Sequence, residues 1–93
     1  MSLFYYDFET TGLNPYHEKI IEYSFIRQDN EAIQSLINPK VKFSDKIEMI
    51  TQITNSMVEK APTIEEKKDE ITTFLNIYNS ECVYLVAHNN SNF

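Results

Sequence analysis

The chain has 93 residues, of which 42% are hydrophobic, and its 14 acidic and 8 basic side chains give a net charge of −6. A chain of this length forms one domain at most, and its hydrophobic content argues against intrinsic disorder. The negative charge excludes a general attraction to nucleic acid, so any contact with a polyanion must be local or mediated by a metal ion.

Other classes of protein are excluded by the absence of their signals. No apolar stretch approaches the roughly 20 residues of a membrane span, and the N-terminus lacks the basic region of a signal peptide. Cys82 is the only cysteine, so neither a disulfide framework nor a cysteine-based zinc site can form. We therefore expect a soluble intracellular protein, in the cytoplasm, with no membrane partner.

The first half of the chain predicts three strands. An aromatic run over residues 3–9 is typical of a well-buried strand. Thr-Gly and Asn-Pro signals over residues 10–19 indicate a loop. Residues 20–27 and 31–37 are two further β-rich runs around a polar break, and we expect them to pair as an antiparallel hairpin.

The second half predicts helices and one more strand. Apolar residues recur every three or four positions over residues 45–58, with Ser44 as N-cap, which predicts one or two short helices. A capping box at Thr63 predicts a helix over residues 64–79. Its inner face should contain Ile64, Ile71, Phe74, Leu75 and Tyr78. Residues 83–87 form an apolar run typical of a strand in the middle of a sheet, so the chain predicts a mixed α/β fold.

Asp7 and Glu9 are the leading candidates for a metal site. They lie two positions apart at the end of the first predicted strand, so both side chains point to one face, with Cα atoms about 7 Å apart. Converging carboxylates suit hard cations such as Mg²⁺. No Lys or Arg is near them in sequence, so a buried pair needs a metal or a distant cation. On the residues alone, a metal site and a structural role both remain open.

Other ionisable residues have simpler interpretations. Asp29 and Glu31 repeat the Asp-x-Glu spacing, but they fall in the predicted hairpin turn, where charges solvate the chain. We predict that this second pair is dispensable for metal binding. His17 is expected to be exposed, and His88 is interpreted as a hydrogen-bonding residue at a strand end, not as a catalytic base.

The nine residues from Asp7 to Pro15 read Asp-Phe-Glu-Thr-Thr-Gly-Leu-Asn-Pro. They resemble the first motif of the DEDD-type 3′-to-5′ exonucleases, which have the ribonuclease H-like fold and include polymerase proofreading subunits, ribonuclease T and oligoribonuclease. Ile20-Ile21-Glu22 resembles the family's second strand, and residues 53–63 are similar to its helical connector, although many members have His where this chain has Thr51. Residues 86–93 resemble the start of the second motif.

The resemblance implies hydrolysis of terminal phosphodiesters of DNA or RNA by a site of four acidic residues that hold two Mg²⁺ or Mn²⁺ ions. Asp7 and Glu9 would be catalytic residues and metal ligands. The substrate-binding residues that the resemblance implies are Thr10, Thr11, Gly12, Leu13, His88, Asn89 and Phe93. The partners that it implies are the 3′ end of single-stranded DNA or RNA and a polymerase.

The resemblance also implies that residues 1–93 are the N-terminal part of a single exonuclease domain, cut off before the second-motif Asp. That residue would directly follow Phe93, and the third-motif Asp and the general base would lie further along. We therefore expect the chain alone to be catalytically silent. We also expect it to self-associate through an exposed edge of the strand over residues 83–87.

Two alternatives stay open. A truncated or degenerate copy of the same fold, acting only as a binding or assembly module, shares every feature of the sequence. A haloacid dehalogenase-like phosphatase also has an acidic pair after its first strand, but there the second acid transfers a proton from a fixed position, which a Glu suits poorly. That fold leads from its first strand to a helix, so antiparallel pairing of residues 20–27 with 31–37 separates the two enzymes.

Overall fold

A computed structural model describes residues 2–12, 14, 16–76 and 83–87. Its elements in chain order are strands β1 (Ser2–Thr10), β2 (Ile20–Arg27) and β3 (Ala32–Leu36), helices α1 (Asp45–Thr51), α2 (Asn55–Val58) and α3 (Ile64–Leu75), and strand β4 (Val83–Ala87). The predicted order of strand, hairpin, helices and strand is confirmed, and with it the mixed α/β fold.

The strands form one sheet with the spatial order β3-β2-β1-β4. Strand β2 pairs antiparallel with both β1 and β3, whereas β4 runs parallel to β1. The predicted hairpin is therefore present. Its turn is closed by the Arg27 amide, which donates to the Glu31 carbonyl at 2.7 Å, and Asn30 adopts a left-handed φ of 73°. This pairing is absent from the phosphatase layout.

Aromatic residues of β1 and β2 form the main core, which lies between the sheet and α3. Phe4, Tyr23 and Phe25 are buried there with Leu75 of α3. The Phe4 ring also meets Phe74 edge to face, with ring centroids 5.6 Å apart. Because side chains alternate along a strand, residues 4, 6 and 8 of β1 face this core and residues 5, 7 and 9 face the opposite side. The acidic pair is thus turned away from the core.

The connector between the hairpin and α3 forms a second core. Ile21, Ile53 and Val58 are buried together there. The prediction of one or two short helices is confirmed as two, because Gln52 adopts a left-handed φ of 61° and ends α1. The Ser44 hydroxyl accepts the Ile47 amide, so Ser44 is the N-cap of α1 as predicted.

Helix α3 begins where the capping box predicts. The Thr63 hydroxyl accepts the Glu66 amide at 3.2 Å, and the Glu66 carboxylate accepts the Thr63 amide at 3.0 Å. Its end was predicted too late, because Asn76 takes a left-handed φ of 53° and caps the helix after Leu75. Ile71, Phe74 and Leu75 face the core as expected, but Ile64 is 36% exposed. Tyr78 lies outside the described residues.

The expectation that residues 83–87 form a covered central strand is wrong for the part of the sheet that the structure describes. There β4 is an outer strand, and its side chains Tyr84, Leu85 and Val86 are 50%, 50% and 41% exposed. Within the same described ranges, no helix has the length and apolar character that crossing a bilayer requires.

Candidate metal and substrate site

Asp7 and Glu9 lie in the second half of β1, the strand between β2 and β4. Asp7 is opposite Ser24 and Glu9 is opposite Glu22 in the β1–β2 register, which shifts between Glu9 and Thr10. Both acidic residues are half-buried. The sheet therefore holds two carboxylates side by side on its outer face, immediately before a loop.

Glu22 brings a third carboxylate to this face. Its position opposite Glu9 sets two like charges directly across an antiparallel pair, an arrangement that destabilises a sheet. The Gln34 side chain of β3 donates a hydrogen bond to Glu22 Oε2 at 3.1 Å. Sequence reasoning treated Glu22 only as part of a strand motif. Because the β1–β2 register shifts next to Thr10, counting residues outward from the loop does not place Glu22 opposite Glu9.

The negative charge on this face alters the protonation of Glu9. Burial raises the pKa of the Glu9 carboxyl above its ordinary value, and the charges of Asp7 and then of Glu22 raise it further. All three causes act against the ionised form. A divalent cation would reverse the effect of the two charges, and carboxylate oxygens are the ligands that Mg²⁺ prefers. The residues present therefore suit a hard cation.

The described side chains supply only part of a coordination shell. Within residues 2–12, 14, 16–76 and 83–87, no three His, Cys, Asp or Glu side chains come together as a metal site. Mg²⁺ usually keeps several water ligands and takes one or two protein carboxylates. A pair of acids is thus compatible with the chemistry of one ion but is too small a set for two.

The loop that follows the acids is ordered by its own hydrogen bonds. The Thr10 hydroxyl donates to the Gly12 carbonyl at 2.6 Å, and the Thr11 hydroxyl donates to Glu18 Oε1 at 2.8 Å. The Thr11 amide donates to the Lys19 carbonyl at 2.9 Å. Thr10, Thr11 and Gly12, three of the predicted substrate-binding residues, thus follow Glu9 directly in a fixed segment.

The remaining sequence candidates divide into two groups. Leu13, His88, Asn89 and Phe93 lie outside the described residues. His17 is exposed, as its loop position predicted.

The second Asp-x-Glu lies at the far end of the hairpin. Asp29 Oδ1 accepts the Arg27 guanidinium at 2.9 Å and the Glu31 amide at 3.1 Å. The Arg27 hydrogen bond, and next the bond from the Glu31 amide, hold the pKa of the Asp29 carboxyl below its ordinary value. Arg27 is opposite Phe4, whereas Glu22 is opposite Glu9, so the structure keeps the two acidic pairs apart.

Comparison with protein families finds one that matches almost the whole chain. The RNase T family model, described as exonuclease, matches residues 4–93. The chain is similar to the DNA polymerase III PolC-type proteins of Clostridium perfringens (39% identical over 88 residues) and Thermotoga petrophila (40% over 87 residues). These matches cover 90% and 89% of this chain but only 6% of each relative.

Solved structures share the fold. The nuclease domain of 3′hExo, a DEDDh family member solved with bound rAMP, matches with a TM-score of 0.73 at 20% identity, over 99% of this chain and 54% of that one. Exonuclease I of E. coli, solved in complex with an oligonucleotide, matches with a TM-score of 0.75 at 18% identity, over 99% and 21%. Such low identities show the ribonuclease H-like fold alone. The family match and the motif at Asp7 establish that the chain belongs to the RNase T family of DEDD-type 3′-to-5′ exonucleases.

Proposed function

We propose that Asp7 and Glu9 are the first two acidic ligands of a 3′-to-5′ exonuclease site that uses two Mg²⁺ or Mn²⁺ ions to hydrolyse terminal phosphodiesters. One observation carries the proposal. Burial and the charges of Asp7 and Glu22 all disfavour the ionised form of Glu9, in a face where two carboxylates already lie side by side. A bound cation would offset the repulsion between these carboxylates and would favour the ionised form of Glu9.

The roles of the residues follow from their places on the strand and loop. Ionised Asp7 and Glu9 supply oxygen ligands from a rigid strand. When bound, the metal ions supply positive charge that stabilises the attacking and leaving oxygens of the phosphodiester. The backbone of residues 10–12 meets the terminal nucleotide, because it continues directly from the acids. The family resemblance supports substrate contacts for Leu13, His88, Asn89 and Phe93.

The substrate is a single-stranded 3′ end of DNA or RNA. The PolC-type relatives are named as DNA polymerases, which favours DNA and favours a polymerase as the working partner. The net charge of −6 leaves little general attraction for a polyanion, so recognition depends on the ions and on close contacts at the terminus.

The 93-residue chain alone is proposed to lack activity. Asp7 and Glu9 are too few ligands for two ions, and among the described residues Glu22, the third carboxylate of this face, does not complete a metal site with them. Metal-dependent cleavage of a 5′-labelled oligonucleotide by the purified chain, abolished by Asp7→Ala, would contradict this part of the proposal.

A second candidate is a non-catalytic binding or assembly module. The observation that favours it is the exposure of Tyr84, Leu85 and Val86 on an outer strand of the described sheet. Exposed apolar strands at a sheet edge are templates for pairing with another chain. In this reading, two copies pair through β4 and the acidic face has no catalytic use.

Calorimetric titration with MnCl₂ separates the two candidates. The exonuclease proposal predicts weak binding that is lost in Asp7→Asn and in Glu9→Gln. The matched control is the double variant Asp29→Asn/Glu31→Gln, which removes the same two charges at the same spacing and should bind as the unaltered chain does. Loss of binding in the control alone would move the metal site to the hairpin turn and overturn the assignment.

A further inference from the structure

The loop between β1 and β2 is closed at its base by Thr11. The Thr11 amide donates to the Lys19 carbonyl at 2.9 Å, and the Lys19 amide donates to Thr11 Oγ1 at 2.9 Å. The same hydroxyl gives its only proton to Glu18 Oε1 at 2.8 Å. Because that proton is engaged inside the loop, the Thr11 side chain stabilises the loop and has no proton to donate to a nucleotide.

Glu18 fills the space beside Gly12. A Cβ atom built on Gly12 would lie 2.8 Å from Glu18 Cδ, 2.9 Å from Oε2 and 3.1 Å from Oε1. These distances are too short for any side chain at this position unless the carboxylate moves. Glycine at this position leaves room for the Glu18 carboxylate, the end of a flexible side chain, to pack against the loop.

The backbone conformation does not by itself require this glycine. No glycine among the described residues has a positive φ, so an alanine at position 12 would meet no left-handed strain. The family resemblance includes Gly12 among the substrate-binding residues. In the structure, the direction in which a side chain at position 12 would project is occupied by the Glu18 carboxylate.

These contacts fix the segment that leaves the acidic pair. Thr10 follows Glu9, and its hydroxyl proton is also used internally, on the Gly12 carbonyl at 2.6 Å. Both threonine hydroxyl protons, the Thr11 amide and the Gly12 carbonyl are thus all engaged inside the loop, which holds residues 10–12 in one arrangement. Their placement relative to Asp7 and Glu9 depends on the Thr11–Glu18 hydrogen bond and on the contact at Gly12.

We infer that Glu18 is a positioning residue of the site: its carboxylate, held by the Thr11 hydroxyl and packed on Gly12, sets the position of residues 10–12 beside Asp7 and Glu9. The inference rests on the proposed function, since it assigns Glu18 a role in the same site. Glu18 touches neither acid in this role and acts through the loop backbone.

The first test measures the loop alone, by amide hydrogen exchange in the isotope-labelled chain. Glu18→Ala should speed exchange of the Thr11 and Lys19 amides by about tenfold, because a hydrogen bond to a charged group is lost. Glu18→Gln keeps an acceptor of similar shape and should stay within about twofold of the unaltered chain. Equal exchange in all three proteins would overturn the inference.

The second test asks whether Glu18 fills the space beside Gly12. Gly12→Ala should lower the melting temperature, and adding Glu18→Ala should restore part of that loss, because the obstructing carboxylate is gone. If Gly12→Ala costs the same with and without Glu18, the two residues do not share this space and the inference fails.

The third test measures the position of the loop relative to the metal site, and not the stability of the fold. Mn²⁺ bound by Asp7 and Glu9 should broaden the NMR signals of the Gly12 and Ser24 amides. Glu18→Ala should change the ratio of the two, and Glu18→Gln should restore it, whereas a residue that only stabilises the fold would leave the ratio unchanged. If Mn²⁺ broadens neither signal in the unaltered chain, the proposed metal site fails, while the exchange and melting results still decide the role of Glu18.

Discussion

Replacing Glu9 with Gln should stabilise the chain at neutral pH in the absence of divalent ions. Glu9 is directly opposite Glu22, and burial together with the charges of Asp7 and Glu22 raises its pKa. A like-charged cross-strand pair costs about 0.2 to 1 kcal/mol. In a domain of this size, each kcal/mol changes the melting temperature by about 4 to 8 °C, so Glu9→Gln should raise it by about 1 to 8 °C.

The pH dependence of this gain has a definite sign. The pKa of the Glu9 carboxyl is higher in the folded state than in the unfolded state. Protonation of Glu9 therefore stabilises the folded state, and this stability is fully present below the ordinary pKa. That stability is lost as the pH rises through the folded-state pKa. The advantage of Gln should therefore be present at pH 7 and should disappear towards about pH 4, near the ordinary pKa of a glutamate.

Calorimetric melting at both pH values, with a chelator present, measures the effect. Asp29→Asn is the matched control, since hydrogen bonds from Arg27 and the Glu31 amide lower the pKa of Asp29 and its charge favours folding at neutral pH. This control should show no gain at pH 7. A Glu9→Gln chain that melts below the unaltered one at pH 7 would mean that the Glu9 charge is already compensated, and would refute the reasoning.

Three further predictions concern the core, a helix cap and the sheet edge. Phe4→Ala should cost about 3 to 5 kcal/mol in denaturant unfolding, because Phe4 is 1% exposed and packs on Phe74; a cost under about 1 kcal/mol would contradict the burial. Thr63→Ala should cost about 0.5 to 2 kcal/mol by removing the cap of α3, whereas Thr63→Ser should cost little. The chain should form dimers or larger species at micromolar concentration through β4, and Leu85→Lys with Val86→Lys should shift it towards monomer in light scattering; a monodisperse monomer before substitution would contradict the edge argument.

Much of the fold could be predicted because its signals are local. The aromatic run of β1, the polar break of the hairpin and the capping box at Thr63 each lie within a few residues, and they predicted the bounds of the three strands and the start of α3 to within one position. The end of α3 could not be read in the same way. The apolar positions continue to Tyr78, and the left-handed cap at Asn76 overrides that pattern.

The site was predicted less completely, because its further contacts join residues that are distant along the chain. Asp7 and Glu9 could be selected from their spacing at a strand end. Glu22 could not, since its place opposite Glu9 depends on the irregular register next to Thr10. Glu18 was missed for a similar reason, because its contact with Gly12 exists only once the loop has closed.

Paramagnetic broadening by Mn²⁺ in the isotope-labelled chain tests the central claim most directly, since it locates a weakly bound ion. If Asp7 and Glu9 are the metal-binding acids, sub-stoichiometric Mn²⁺ should first broaden the amides of β1 around Asp7 and those opposite, around Ser24. Asp7→Asn should abolish this effect, and Asp29→Asn should leave it unchanged. Broadening centred on the hairpin turn at Asp29, or broadening around Asp7 that survives Asp7→Asn, would contradict the assignment of the acidic pair as the metal site.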